Sequence, residues 1–484
     1  MKKVVPLLKN EFIICLSAYF FYISQQNVSI SIKNMSKVIK VKKGLDIKLQ
    51  GKAQKNIVNA ERAKLYAIKP TDFNGLVPRL AIQEGDEIKA GSTLFFDKNR
   101  PEVKFTSPVA GKVVTINRGE RRKILEVVVQ AANTDEYIDF GKSKPADLSR
   151  DEVIHKLLQS GLWTFIIQRP YSIIANPTDN PKAIYISGFD TAPLAADIDF
   201  TLQGFENEFS MGITALKKLT EGKVNICLSE DFSASKAFTD SKDAEFHYFS
   251  GPHPTGNVGI QIHHIDSINK GEVVWVVKPH HVVSIGRLFN KGIYDVSKII
   301  ALAGSQVLQP QYYKIIGGAS IETLVNDNVE KNNLRFISGD VLTGTKIPSN
   351  GFIGHYDNLI TVIPEGDHAD FLGWAAPGLS KYSASKTFLS SLIPKKEYKL
   401  DTNYNGCERA YVVTGQYEKV LPMDIYPVNL IKAIMAEDID LMEKLGIYEV
   451  AEEDFALCEF VCTSKIEVQS VIRKGLEMMI KEMS

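Results

Sequence analysis

The hydrophobic pattern changes period along the chain. From Glu84 to Val129, short β-rich runs alternate with turn signals at Glu84-Gly85-Asp86, Ala90-Gly91, Ser107-Pro108, Ala110-Gly111 and Arg118-Gly119. Runs this short bury little against a single neighbour, so they predict a small sheet-on-sheet barrel, where closure removes bare edges. Residues 36–50 alternate like a strand, turn at Gly44 and lead into that region; a polar linker follows from Ala131 to Pro145. At Ser149 the period becomes helical. Ser149-x-x-Glu152 is a capping box ahead of Val153, Leu157 and Leu158, and Gly161 stops the helix. A strand over Ala183–Ser187, a helix carrying Phe209, Ile213 and Leu216, and a strand over Lys223–Leu228 make a βαβ unit, hence a parallel sheet.

Residues 296–343, with Gly317-Gly318, predict a small mixed domain, and Gly351 to Ser383 a β-rich stretch. The C-terminal part is helical. Pro427 opens one helix, Asp438 caps another that ends at Gly446, and Ser464-x-x-Glu467 caps the last, with Val471, Ile472, Leu476 and Met479 inward.

A chain of 484 residues accommodates about three domains. Lys+Arg and Asp+Glu both total 57, so no charge excess points to nucleic acid. Five cysteines in this length make no disulfide framework and read as reduced thiols. The apolar run Phe12–Ile23 after Lys2 and Lys3 is too short to span a bilayer and is followed by no A-x-A site. Met35 reads as the true start, with residues 1–34 an upstream extension; a membrane-surface anchor and an export signal are the alternatives.

Several chemistries are missing. Neither G-x-G-x-x-G nor G-x-x-x-x-G-K-[ST] occurs, and the place after the first helix reads SGLWTFIIQRPYSIIANP, bulky where a phosphate cradle needs small residues. Six of the nine histidines lie between His247 and His281. His263-His264 and His280-His281 read as adjacent pairs in strand-like runs, whose members face opposite ways and cannot clamp one ion. Cys458 and Cys462 are spaced to share a helix face, but a cluster needs further ligands and only Cys407, alone in NGCERAY, is available; buried apolar thiols are the better reading. Glu452-Glu453-Asp454 read as first-turn helix charges.

The turns EGD and SPVAGKV resemble those of the lipoyl- and biotinyl-type barrel-sandwich hybrid. A carrier would present a modified lysine on its hairpin. Here that hairpin reads FFDKNRPEVKF, in which Asn99-Arg100-Pro101 displaces Lys98, so a structural copy of the fold is expected. More widely, KGLDIKL, KFTSPVAGKVVTINRG, SGLWTFIIQRP, GFDTAPLAAD, FSGPHPTGNVG, FISGDVLTGTK, ERAYVVTGQYEKVLPMDIYP and EEDFALCEFVCTSK resemble, in this order, the A subunits of the sodium-translocating NADH:quinone reductase. Wider kin are the flavin-binding NADH subunit of respiratory complex I and the C subunit of the Rnf complex.

The resemblance implies an α/β multidomain chain. Residues 35–135 would form a lipoyl-like barrel-sandwich hybrid, 146–260 a Rossmann-like domain and 261–345 a β-grasp-like domain. A β-rich segment over 346–400 and a helical domain over 401–484, resembling a degenerate iron–sulfur domain, would follow. In LPMDIYP, Leu421 stands where the Rnf relative has a cysteine; Cys407, Cys458 and Cys462 look like the remains of a lost cluster site. The resemblance further implies a peripheral subunit on the cytoplasmic face of the bacterial inner membrane, with no flavin, cluster or metal of its own. Its partners would be the other subunits of a six-subunit pump, the membrane subunits above all, and ubiquinone or menaquinone; NADH, flavins and an iron–sulfur cluster would be handled elsewhere in the complex. The segment KPTDFNGL, with Lys69, Phe73, Asn74, Gly75 and Leu76, is the candidate quinone-binding or partner loop. The alternatives are a free-standing soluble quinone- or flavin-linked oxidoreductase and a lipoyl or biotin carrier.

Overall fold

The computed structural model describes residues 38–231, 236–239, 241, 243–331, 333–368, 373, 375–394, 396–412 and 414–483. The expected extension over residues 1–34 lies outside them.

Four sheets organise the chain. The largest has the order β1 (Ile39–Lys40), β14 (Glu245–Ser250), β13 (Lys223–Ser229), β12 (Ala183–Ser187), β15 (Val274–Val276), β10 (Ile167–Arg169) and β11 (Ile173–Ile174). Its strands are parallel from β1 to β15, and β10 and β11 add an antiparallel edge. Ala183, Ile184, Tyr185 and Ile186 are all buried, as expected of a parallel strand covered on both faces. The six-stranded mixed sheet has the order β19 (Thr345–Ile347), β18 (Leu334–Ser338), β20 (Leu359–Pro364), β16 (Ser297–Ala303), β17 (Gln311–Ile316) and β2 (Gln54–Asn59). Two small sheets make the sandwich: β3 (Leu65–Ile68), β9 (Ile124–Ala131), β8 (Gly111–Arg118) and β5 (Glu87–Ile88) face β4 (Pro78–Leu80), β6 (Thr93–Asp97) and β7 (Lys104–Thr106). Leu94, Phe95, Val103, Phe105, Val113, Val127 and Val129 fill its core.

The helix α1 (Arg150–Ser160) starts on the expected capping box, with Glu152 accepting from the Ser149 backbone N–H at 2.8 Å, and ends on Gly161 at φ +82°. The helices α2 (Glu206–Lys217) and α4 (Pro279–Lys291) touch backbone to backbone. A Cβ on Gly212 would sit 2.2 Å from the Val282 carbonyl oxygen, and one on Gly286 would sit 1.7 Å from that of Glu208. Helices Pro427–Met435, Ile439–Lys444, Ala456–Phe460 and Val468–Met483 enclose a second core around Leu430, Ile431, Ile434, Leu457, Ile472 and Leu476.

Several expectations are corrected. The described residues from 38 to 59 do not pair with the barrel: β1 joins β14 of the α/β sheet, β2 joins β17 of the mixed sheet, and the sandwich strands begin at β3. Alternation identifies a strand but not its partner. The helix α3 (Val258–Asp266), β15 and α4 belong to the α/β layer, so a boundary at 260 divides one sheet, since β15 pairs with both β12 and β10. Residues 346–400 are not a separate β-rich unit. β19 and β20 complete the mixed sheet, and beyond Pro364 the described residues hold no further strand. His263-His264 and His280-His281 are helical, on α3 and α4. Ser464 does not cap the last helix; its hydroxyl donates to the Ala410 carbonyl, and the helix opens at Val468.

Candidate functional site

A cleft of about 420 Å³ opens where β12 and β15 end, bounded by the loops leading to α3 and α4. The carboxyl ends of parallel strands are where such folds hold ligands. Five stretches build the walls. The sandwich supplies Asp72, Phe73 and Asn74, the turn after α1 supplies Phe165, and β10 supplies Ile167 and Arg169. The α/β layer adds Asp190, His253, Asn257 and Lys278 to His281, the mixed sheet adds Asp340 and Tyr356, and the C-terminal part adds Glu452 and Glu453.

One corner is aromatic. The buried Phe73 ring lies edge-on to Phe105 at 4.6 Å, His355 at 4.8 Å and Tyr356 at 5.7 Å. Phe165 stacks flat on His281, with centroids 3.9 Å apart. Hydrogen bonds fix the corner: the Tyr356 hydroxyl donates to the Thr164 carbonyl at 2.8 Å, and the His355 backbone N–H donates to Asp72 Oδ2 at 2.9 Å. Burial pushes the His280 and His281 imidazoles well below their ordinary range and takes His355 to about 3, so all three are neutral near pH 7. They stand there as uncharged rings. His280 Nε2 and His281 Nδ1 are buried with no protein partner.

Behind this corner lies a small cavity of about 20 Å³, lined among others by Lys69, His281, Ser284, Lys298 and His355. That is room for about one water. Burial draws the Lys298 ammonium down to about 8.

The opposite wall is ionic. Arg169 donates to Asp454 Oδ2 at 2.9 Å and also to Glu453. Arg473 donates to the Tyr171 carbonyl and to Glu452, both at 2.9 Å, and Asn74 Nδ2 donates to the Ser172 carbonyl at 3.1 Å. The turn Arg169 to Ser172 thus joins the sandwich loop, the α/β sheet and the C-terminal helices at the cleft's rim. Acidic side chains predominate in the lining: Asp72, Asp190, Asp340, Glu452 and Glu453 stand against Lys278 and the already paired Arg169.

The candidate loop divides. Phe73 and Asn74 reach the cleft. Lys69 faces the small cavity, 3.4 Å from Asp72 and 3.3 Å from the Phe352 carbonyl. Leu76 packs toward the hydrophobic core, and Gly75, at φ +71°, makes the turn. Sequence reasoning missed Phe165, Arg169, His281, His355 and Tyr356. The available signal was the bulk of SGLWTFIIQRP itself: Trp163 and Phe165 are buried where a phosphate cradle would need small residues, and Trp163 Nε1 donates to the Ala175 carbonyl at 2.8 Å. That turn does not fit a flavin phosphate.

The cysteines do not fit a cluster either. The helix carrying Cys458 ends at Phe460, so Cys462 lies beyond it and not on a shared face. Both are buried, burial raises the Cys458 thiol well above its ordinary value, and Cys407 is exposed on a loop. Among the described residues no three His, Cys, Asp or Glu side chains are arranged to hold a metal. Lys98 is exposed at its hairpin, but Arg100 fastens that hairpin to the α/β sheet by donating to the Ile174 carbonyl at 3.0 Å.

Three domain families match the chain in succession. Residues 39–132 match the NqrA N-terminal barrel-sandwich hybrid domain, 148–294 the NqrA second alpha/beta domain, and 299–349 the NQRA C-terminal domain. Together they define a multidomain α/β chain built on a barrel-sandwich hybrid. Among curated relatives, the A subunit of the Na(+)-translocating NADH-quinone reductase of Yersinia pseudotuberculosis is 39% identical over 451 residues, which is 92% of this chain and 100% of the relative. Those of Hahella chejuensis and Neisseria meningitidis serogroup B are 36% and 37% identical, again over 92% of this chain and 100% of each relative. The chain belongs to the NqrA family, the A subunits of the Na(+)-translocating NADH-quinone reductase.

Proposed function

We propose that the chain works as a peripheral subunit of a sodium-translocating NADH:quinone reductase, on the cytoplasmic face of the membrane, and that its cleft receives the quinone head group. The aromatic corner of Phe73, Phe165 and Tyr356 carries this reading. A quinone is a flat, uncharged ring, which aromatic faces hold and neutral imidazoles can hydrogen-bond at its carbonyls. The acid-rich lining disfavours the phosphates of a flavin or dinucleotide. The filled turn at Trp163 and Phe165 and the inert, buried thiols support a subunit that keeps no flavin or cluster of its own, with NADH oxidation carried out by partner subunits. Among the described residues no helix is long and apolar enough to cross a membrane, which suits attachment through membrane partners.

The test has two arms. A C-terminally tagged chain, drawn gently from solubilised membranes, brings down an NADH-oxidising flavoprotein and membrane subunits. In that complex, Phe73→Leu raises the quinone KM and leaves NADH oxidation with an artificial acceptor unchanged. Recovery of the chain alone from the soluble fraction overturns the assembly. NADH-dependent dye reduction by the isolated chain would favour a free-standing oxidoreductase instead.

A further inference from the structure

Residues 377–394 and 396–400 fold back on one another. The Leu389 N–H donates to the Pro377 carbonyl at 3.1 Å, the Ser390 hydroxyl to Lys381 and the Lys396 ammonium to Leu379. These bonds draw the backbone of residues 377–381 against the short turn Leu389–Leu392. On that joined backbone Leu379 is 62% exposed, Leu389 49%, Leu392 76% and Ile393 46%. Large apolar side chains exposed together mark an interaction surface.

The charge around them indicates what covers it. The whole chain is neutral, yet this stretch carries Lys381, Lys386, Lys395, Lys396 and Lys399 against the single acid Glu397. Lys386 and Lys399 are exposed. Exposed leucines on a short turn, with the exposed cations Lys386 and Lys399 in the same stretch, suit a surface that is apolar just beneath an anionic layer. We propose that this loop rests on the membrane itself, with its leucines entering the acyl boundary and its lysines at the phosphates of anionic lipids. The inference adds a direct lipid contact to the peripheral reading and does not depend on the quinone cleft.

Co-flotation of the purified full chain with vesicles tests it. The vesicles are phosphatidylcholine alone, or phosphatidylcholine mixed with phosphatidylglycerol. The chain should float with the anionic vesicles, less so at high salt, and hardly with the neutral ones. Leu389→Ser/Leu392→Ser/Ile393→Ser should lower bound chain by about tenfold, and Lys386→Glu/Lys399→Glu by about fivefold or more. Every variant carries the same apolar run Phe12–Ile23, so the differences report this loop alone. Circular dichroism checks that each variant is folded. Absence of flotation with anionic vesicles at low salt, or equal flotation by all variants, overturns the proposal. If vesicle binding is absent but the triple variant drops out of the solubilised complex, the patch is a protein-docking face and the lipid contact is wrong. In that outcome the subunit reading survives.

Discussion

Arg169, at the end of β10, the strand next to the edge of the α/β sheet, is ion-paired at 2.9 Å to Asp454, which lies in the C-terminal helical part. Their side chains are 4% and 0% exposed, so the bond between these two units is made out of water. Asp454 also accepts from the Ala451 N–H at 2.9 Å, which fixes its carboxylate toward the arginine.

Asp454→Ala should therefore be severe. It leaves a buried guanidinium held only by the part-exposed Glu453, and breaking a buried pair by removing one partner costs about 3–5 kcal/mol. The expected outcome is a clear fall in thermal midpoint, with the C-terminal helices becoming the first protease-sensitive region. An unchanged midpoint would mean the two units are held by packing alone.

Phe73→Leu keeps apolar volume but removes the ring that meets His355 and Tyr356. Aromatic contacts of this kind are worth about 0.5–1.5 kcal/mol. Quinone KM should rise about fivefold (about 1 kcal/mol) with kcat nearly constant. Steady-state kinetics of the assembled complex with a short-chain quinone measure both; a kcat loss at constant KM would place Phe73 outside the binding surface.

Acid should weaken the fold early. Burial lowers His355 to about 3 and His253 to about 4, and lowers His280 and His281 as well. The unfolded imidazoles titrate near 6.5, so below that pH the unfolded chain binds more protons than the folded one. The stability these neutral histidines contribute is present above about pH 6.5 and is lost as pH falls toward the folded values, at up to about 1.4 kcal/mol per pH unit for each group. Urea unfolding between pH 5 and 7 should show this slope, and His355→Phe should reduce it by about one proton. An identical slope in the variant would mean that His355 is protonated in the folded chain.

Lys98 should carry nothing. Its hairpin is fastened to Ile174 through Arg100, and a tethered hairpin cannot swing a prosthetic group between sites. Intact mass of the purified chain should match the unmodified polypeptide, and a lipoyl or biotinyl increment would restore the carrier reading.

The sandwich, α1 and the β12–β13 pair were legible because local signals specify them: turn dipeptides, the Ser149 box, Gly161, and runs of apolar residues at one period. Partners were less legible. Nothing in residues 36–59 says that its strands will pair with β14 and β17, because alternation carries no address. The loop from Lys69 to Leu76 was identified as a candidate, and of its five named members Phe73 and Asn74 reach the cleft, beside Asp72 of the same loop. Phe165, His355 and Tyr356 were not identified, because single aromatic residues in separate stretches look like core until the fold brings them to one wall. The histidine pairs were misplaced on strands since Ile262, Val282 and Val283 favour either state; their helices are set by contacts with the sheet and with α2.

Gln54 stands beside Gln311 in the mixed sheet, and Ile39 beside Phe249 in the α/β sheet. In the order of synthesis, β2 leaves the ribosome some 257 residues (311 minus 54) before the strand it needs. At about 5–20 residues per second that is roughly 10–50 s. The sandwich can close meanwhile from its own strands, but both segments ahead of it must wait with open edges, exposed to pairing with another nascent chain. The strands β1 and β2 thus find their partners long after they are made, and the sheltering of those waiting edges bears on the yield of folded chain.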